Sequence, residues 1–297
     1  MTDWITAIEG TETGRIAAMV LALTAAFLHA LFGALQKGRY DPWTSRVAID
    51  AGLVVLSAPI ALFLVPWPEP SHWWIYVGVV LIHLTYKSLM AATYDRGAYT
   101  VVYPVVRGTA PVFTVLGAGA IFGEVFSAGQ WLGVALLVGG MFGLSVYNMR
   151  KIVVARETLI PALGFAVATG LSVALYTTWD AYGIRVEPNP FTFIAWFFFL
   201  SSLDFPLIAL VRRGWRWPEP ALIRLGGLGA VIGWGSFGSV MLATRLDSVG
   251  EAAILRETST VFAALIGWIV LKESVGPRRL GLMALIALGA VVVEFGG

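Results

Sequence analysis

The sequence predicts an all-α polytopic membrane protein, with ten transmembrane helices arranged as two inverted five-helix repeats. Three observations predict it. Of the 297 residues, 58% are hydrophobic and only 13% charged, outside the range of soluble domains. Apolar runs of about 20 residues, the length that spans a hydrocarbon core, recur ten times. The second half also repeats the first: adding 149 carries Arg107, Thr109, Val112, Phe113, Leu116 and Glu124 onto Arg256, Thr258, Val261, Phe262, Leu265 and Glu273. That period is too long for a solenoid repeat and marks two homologous halves of one domain.

In chain order, residues 1–14 form a polar, acidic N-terminal segment without the basic flank and cleavage site of a signal peptide. The first repeat covers 15–148, with spans at 15–36, 46–65, 73–94, 98–122 and 128–148. A basic connection at 149–158 leads to the second repeat, 159–297, with spans at 159–182, 190–211, 221–244, 248–271 and 276–295. None of the connections is long enough to hold a soluble domain. Fourteen of the twenty Lys and Arg residues lie in the connections after the odd-numbered spans, whereas Arg15, Arg185 and Arg245 face the other side. Positive loops stay in the cytoplasm, so both termini are expected outside. Five spans per half is an odd number, and the second half therefore enters the membrane inverted, a ground plan of secondary transporters whose site lies at the repeat interface.

Polar groups at membrane depth are costly and face a cavity or a partner. Lys87, Arg107 and Arg256 lie within predicted spans. Arg107 is expected slightly inside the midplane and Arg256 slightly outside it, a symmetry-related pair. Tyr99, Tyr103, Arg107, Pro111 and Thr114 share one helix face, and Pro104 and Pro111 remove backbone donors, so that a kinked helix offers carbonyls to a cavity. His29, Gly33 and Gln36 form a polar stripe in span 1; Tyr176, Thr177 and Asp180, with Trp179 beside them, form another in span 6. Tyr86, Lys87 and Tyr94 lie in span 3, and Trp234 among the glycines of span 8. Arg107, Arg256, Tyr103, Tyr99, His29, Tyr176, Trp179, Tyr86 and Trp234 are the candidate substrate-binding residues. A guanidinium fork suits a carboxylate or phosphonate, and aromatic walls suit an apolar substrate group. Asp180, Glu257 and His29 are the candidates for proton coupling.

Plainer readings stand beside these. Each arginine is also readable as structural, neutralised by a neighbouring carboxylate such as Glu257 or capping unwound backbone. Lys87 is expected to snorkel to the cytoplasmic side, and His29 reads as an interhelical hydrogen-bonding residue as well as a proton carrier. Trp73, Trp74, Trp215 and Trp217 suit interfacial anchors; Glu124 and Glu273 suit helix termini. Glycine pairs such as Gly139-Gly140 and Gly226-Gly227 permit close helix packing.

The absence of cysteine excludes disulfides, thiolate metal sites and Cys nucleophiles. With no His-Glu-x-x-His motif and only His29, His72 and His83, the sequence offers no metal site and no enzymatic constellation. There is no Walker-type loop either, so the driving force is expected to be an ion gradient, the membrane potential or exchange. No cofactor is expected. Basic residues are accounted for by topology, which leaves no signal for nucleic acid. The expected partners are a small-molecule substrate and the lipid bilayer, for a monomer or a homodimer.

Tyr103-Pro104, Arg107-Gly108-Thr109-Ala110-Pro111 and Gly123-Glu124 in the first half, with Arg256-Glu257-Thr258-Ser259, Val261-Phe262 and Leu271-Lys272-Glu273 in the second, resemble the drug/metabolite transporter superfamily and within it the ten-span EamA-type permeases. His29-Ala30 and Lys37 add to the resemblance. The second half departs from the first by having Thr260 where Pro111 sits. The resemblance covers nearly the whole chain and implies a carrier in a bacterial inner membrane that exports or exchanges small metabolites by alternating access. Amino acids or related zwitterions are the first expectation. Organic anions or phosphonates are the alternative, organic cations a third, and a membrane receptor or structural subunit the reading outside transport.

Overall fold

The computed structural model describes residues 3–36, 40–97, 99–150, 156–213, 219–269 and 276–297. Lys37, Arg39, Lys151, Trp215, Arg216, Trp217, Leu271, Lys272 and Glu273 lie outside the described residues, as do the side chains of Gln36 and Tyr99. Among the described residues, every regular element is a helix.

A short α1 (Asp3–Ile8) precedes α2 (Glu12–Gln36). Helix α3 (Pro42–Pro59) starts where the Asp41 side chain accepts hydrogen bonds from the Trp43 and Thr44 amides, satisfying donors that a helix N-terminus leaves free. At Pro59, which offers no amide hydrogen, the helix relaxes into a π-turn over Ile60–Leu64. Next come α4 (Trp73–Arg96), α5 (Tyr99–Phe122) and α6 (Ala128–Met149), the last begun by a capping box between Ser127 and Gln130.

The second repeat consists of α7 (Arg156–Val186), α8 (Pro190–Ser201), α9 (Asp204–Arg213), α10 (Pro220–Leu246), α11 (Val249–Glu257), α12 (Ser259–Ile269) and α13 (Pro277–Phe295). Eight segments among the described residues are long and apolar enough to cross a membrane. The other two expected spans are α11 with α12, which is interrupted, and α13, which carries Arg278, Arg279 and Glu294.

Two of the expected single spans are thus broken. The seventh span breaks between Ser201 and Asp204, four residues before Pro206 at Ser202, where the proline has no amide hydrogen to give the Ser202 carbonyl. The ninth breaks at Thr258, whose hydroxyl donates to the Leu255 carbonyl at 2.6 Å and takes up an acceptor the helix would otherwise use. By contrast, α5 stays one helix through Pro104 and Pro111. The proline-bearing helix is continuous and its proline-free counterpart is interrupted.

The packing exchanges the two repeats. α2 lies on α10 as α7 lies on α4; α5 lies on α7 as α11 and α12 lie on α2; α6 meets α13, and α3 meets α8 and α9. Swapping each helix for its counterpart maps this set of partners onto itself, as a pseudo-two-fold relation between halves requires. Where α6 crosses α13 and where α3 crosses α10, the backbones nearly touch. A Cβ on Gly133 would fall 2.7 Å from the Gly289 carbonyl, and one on Gly52 would fall 2.4 Å from the Gly226 carbonyl. Large apolar side chains such as Phe63, Val55 and Val211 point outward, the pattern of a bundle whose solvent is lipid.

Candidate substrate site

The break at Thr258 puts three charged side chains beside one another in the protein interior. Arg256 and Glu257 end α11 and Arg107 comes from the middle of α5; all three are buried. Arg107 Nε lies 2.8 Å from Glu257 Oε2, an ion pair without hydrogen-bond alignment, and its Nη2 donates to Ser259 Oγ at 3.0 Å. Arg256 Nη2 stands 4.0 Å from Glu257 Oε1. Its Nε has no hydrogen-bond partner among the described residues. The two arginines therefore differ: Arg107 is closely held, and Arg256 has donors to spare.

Aromatic rings cover both. Arg107 sits 5.9 Å from the Tyr103 ring and Arg256 6.0 Å from the Tyr176 ring, within cation–π range. Tyr86 packs edge-on against Tyr176 at 4.9 Å. Next to Tyr176, one turn further along α7, Asp180 accepts from or pairs with His83 Nε2 at 2.9 Å through Oδ2. A small cavity, with room for about one water molecule at ≈ 10 Å³, is lined by Arg256, Tyr176, Thr177, Asp180, Phe237, Met241 and neighbours. Asp180 Oδ1 and Thr177 Oγ1 are buried there without a hydrogen-bond partner among the described residues. One cavity thus gathers a guanidinium, a carboxylate oxygen and a hydroxyl, each with unused capacity, walled by aromatic and aliphatic groups.

His29 lies within electrostatic reach of both arginines and packs on Phe32 and Phe237, at 6.5 and 6.3 Å. Trp234 stacks on Phe198, which in turn meets Phe237, and its indole Nε1 has no hydrogen-bond partner among the described residues. Tyr103, Tyr176, Tyr86, His29 and, through Phe198 and Phe237, Trp234 therefore converge with Arg107 and Arg256. Trp179 does not: it donates to the Ile75 carbonyl at 3.0 Å and packs with Trp74 and Tyr182.

Lys87 does not snorkel. Its ammonium is buried and donates to Asp50 at 3.0 Å, to Asp204 at 2.8 Å and to the Ser201 carbonyl at 2.7 Å, while Arg46 shares Asp50. Two carboxylates from α3 and α9 outweigh the gain from reaching water, since a buried ammonium is stable where it is paired and hydrogen-bonded. Sequence reasoning missed Asp50, Asp204 and His83. Each is an ionisable residue inside an apolar run, and His83 shares a helix face with Tyr86 and Lys87, a signal that was present. At the far end of the bundle, Glu124 accepts from the Val249 and Gly250 amides and the Ser248 hydroxyl, capping α11, the helix-terminal role its position suggests. Arg245 joins α7 to the N-terminus through the Ile184 and Glu187 carbonyls and Glu9.

The model of the EamA-like transporter family matches residues 16–146 and again 160–295. An uncharacterized transporter of Synechocystis sp. is 24% identical over 194 residues, 63% of this chain and 56% of the relative; the match spans little more than half of that protein's length. A solved crystal structure has the same fold, with a TM-score of 0.73 at 17% identity, covering 93% of this chain and 95% of the other.

Proposed function

The chain belongs to the EamA-like transporter family, and from that premise we propose that it is a secondary carrier for small zwitterions, amino acids foremost, which it exports or exchanges by alternating access. One observation carries the substrate class. Arg256 and Asp180 line the same cavity, and each has a polar atom with no hydrogen-bond partner among the described residues. A carboxylate on Arg256 and an ammonium on Asp180 would use both, in surroundings dry enough to make each contact strong. Tyr176, Phe237 and Met241 would meet the side chain. Arg107 serves the site differently: with Glu257 beside it, it sets the local charge and supports Ser259 at the break.

An anion receptor built from both arginines is less well supported, because Glu257 already neutralises one of them. Placement in a bacterial inner membrane with both termini outside, and action as a monomer, belong to the same proposal.

Counterflow into proteoliposomes holding only this protein tests it. Labelled neutral amino acids are offered alongside an organic acid, a phosphonate and an organic cation. Saturable accumulation of an amino acid, lost in Arg256→Ala, is the expected result. Accumulation of the anions alone would reassign the substrate; amino-acid counterflow unaltered by Arg256→Ala and Asp180→Asn would remove the site. A receptor or structural subunit would move nothing.

A further inference from the structure

The His83–Asp180 pair has a geometry that the binding of a zwitterion does not by itself require. His83 belongs to α4 in the first repeat and Asp180 to α7 in the second, so their 2.9 Å contact bridges the two repeats. Both side chains are 6% exposed. The imidazole is fixed by Tyr176 at 4.7 Å, Phe197 at 4.8 Å and Tyr86 at 6.4 Å. Asp180 lines the cavity; of its two carboxylate oxygens, Oδ2 faces the imidazole and Oδ1 is buried with no hydrogen-bond partner among the described residues. One carboxylate thus presents one oxygen to a titratable base and the other to the place where a ligand's cation would lie.

We propose that His83 and Asp180 form a proton site exclusive with the substrate's ammonium, making the protein a proton/zwitterion antiporter. The inference rests on the zwitterion reading above. With the ammonium at Oδ1, His83 is neutral and donates Nε2–H to Oδ2, so one cation faces one carboxylate. When the substrate leaves, one proton from the newly open side takes the ammonium's place on the pair; because a zwitterion carries no net charge, each cycle moves one positive charge opposite to the substrate. The ammonium and the extra proton together would put two positive charges on a single buried carboxylate, and at a few ångströms in a poorly polarisable interior that repulsion is costly. Substrate and proton therefore occupy the site in turn and cross in opposite directions, one for one.

The surrounding ionisable groups favour this alternation. Tyr86 from α4 and Tyr176 from α7 face the pair as neutral hydroxyl-bearing rings, and α8 contributes Phe197. Helix α10 lines the cavity with Phe237, Val240, Met241 and Thr244, none of them charged. Arg256 from α11 is the remaining charged group on the cavity and stays cationic throughout, with Glu257 and Arg107 behind it. Lys87, one turn from His83 on α4, is engaged by Asp50 and Asp204. The group that exchanges its proton is confined to the pair.

Proteoliposomes containing the purified protein test this with two readouts on the same preparation: counterflow of labelled alanine, leucine and threonine without a pH gradient, and accumulation of the amino acid that exchanges under an imposed step of one pH unit, with a trapped pH dye recording proton movement. With the membrane potential held at zero by valinomycin and equal potassium on both sides, wild type is expected to accumulate substrate about tenfold against the proton flow, since one unit of pH is worth a factor of ten for one-for-one exchange, with protons moving opposite to substrate. His83→Gln is expected to exchange more slowly and to accumulate nothing under the pH step. A wild type that exchanges amino acid but moves no protons and ignores the pH step overturns the antiport alone, as does a His83→Gln variant that stays coupled. Absence of counterflow for every amino acid would overturn the zwitterion reading and this inference with it.

Discussion

Arg107 and Arg256 occupy matching positions in the two repeats and yet have different surroundings, and that difference predicts different phenotypes. Glu257 stands at 2.8 Å from Arg107 and 4.0 Å from Arg256. Arg107→Ala leaves the carboxylate without its close partner in a buried site, so it is expected to lower the melting temperature in detergent; Arg256→Ala is expected to melt close to wild type and to lose stabilisation by added amino acid. Equal loss of stability in both would show that the asymmetry has no energetic content. Lys87 makes the stronger stability prediction. Lys87→Met strands Asp204 and leaves Asp50 to Arg46 alone, and breaking a buried ion pair by removing one partner costs roughly 3–5 kcal/mol, read as a large fall in melting temperature that Lys87→Arg largely avoids. At this scale the sequence showed where the costly charges lie, because an arginine or lysine in an apolar run stands out. It did not show which partner each one meets. His83 and Asp180 are 97 residues apart, and only the contact between α4 and α7 brings them together.

Helix extents were legible and helix interruptions were not. Eight of the ten apolar runs coincide with segments among the described residues that are long and apolar enough to cross a membrane, because hydrocarbon thickness sets their length. The break at Thr258 has no proline or glycine to announce it; it arises from a hydroxyl competing for a backbone carbonyl, and the same side chain closes harmlessly onto a helix elsewhere, as Thr109 does in α5. The structure gives α11 a separate start as well as a separate end. Glu124 accepts from two of its first amides and from Ser248, a carboxylate at the positive end of a helix. Glu124→Ala is therefore expected to cost on the order of 1 kcal/mol, the usual worth of a cap, and to speed amide exchange over residues 249–252 while leaving α6 unaffected. Protection unchanged there would mean that Ser248 alone suffices. The contact between α6 and α13 depends on glycine at both faces: Gly289→Leu would drive a side chain into the Gly133 carbonyl and the Leu137 backbone.

Over the whole molecule, the duplication could be read from residues 149 apart, and its packing consequence follows from symmetry: each contact between a helix of one half and a helix of the other must recur with the roles exchanged, as α2 on α10 recurs in α7 on α4. What symmetry leaves undetermined is which end of the bundle faces the cytoplasm. The proposal that both termini lie outside rests on the basic connections, fourteen of twenty Lys and Arg on one side, because positive loops stay in the cytoplasm. The chain has no cysteine, so a single introduced thiol reports its own position. Val125, between α5 and α6, is 90% exposed, and Ala221 begins α10 at the opposite end of the bundle. In intact cells a membrane-impermeant maleimide is expected to label Val125→Cys and to spare Ala221→Cys until the membrane is opened. The opposite pattern would invert the topology, turn the Glu124 cap and the Arg245 contacts towards the cytoplasm, and reverse the direction in which any proton gradient drives substrate through the His83–Asp180 pair.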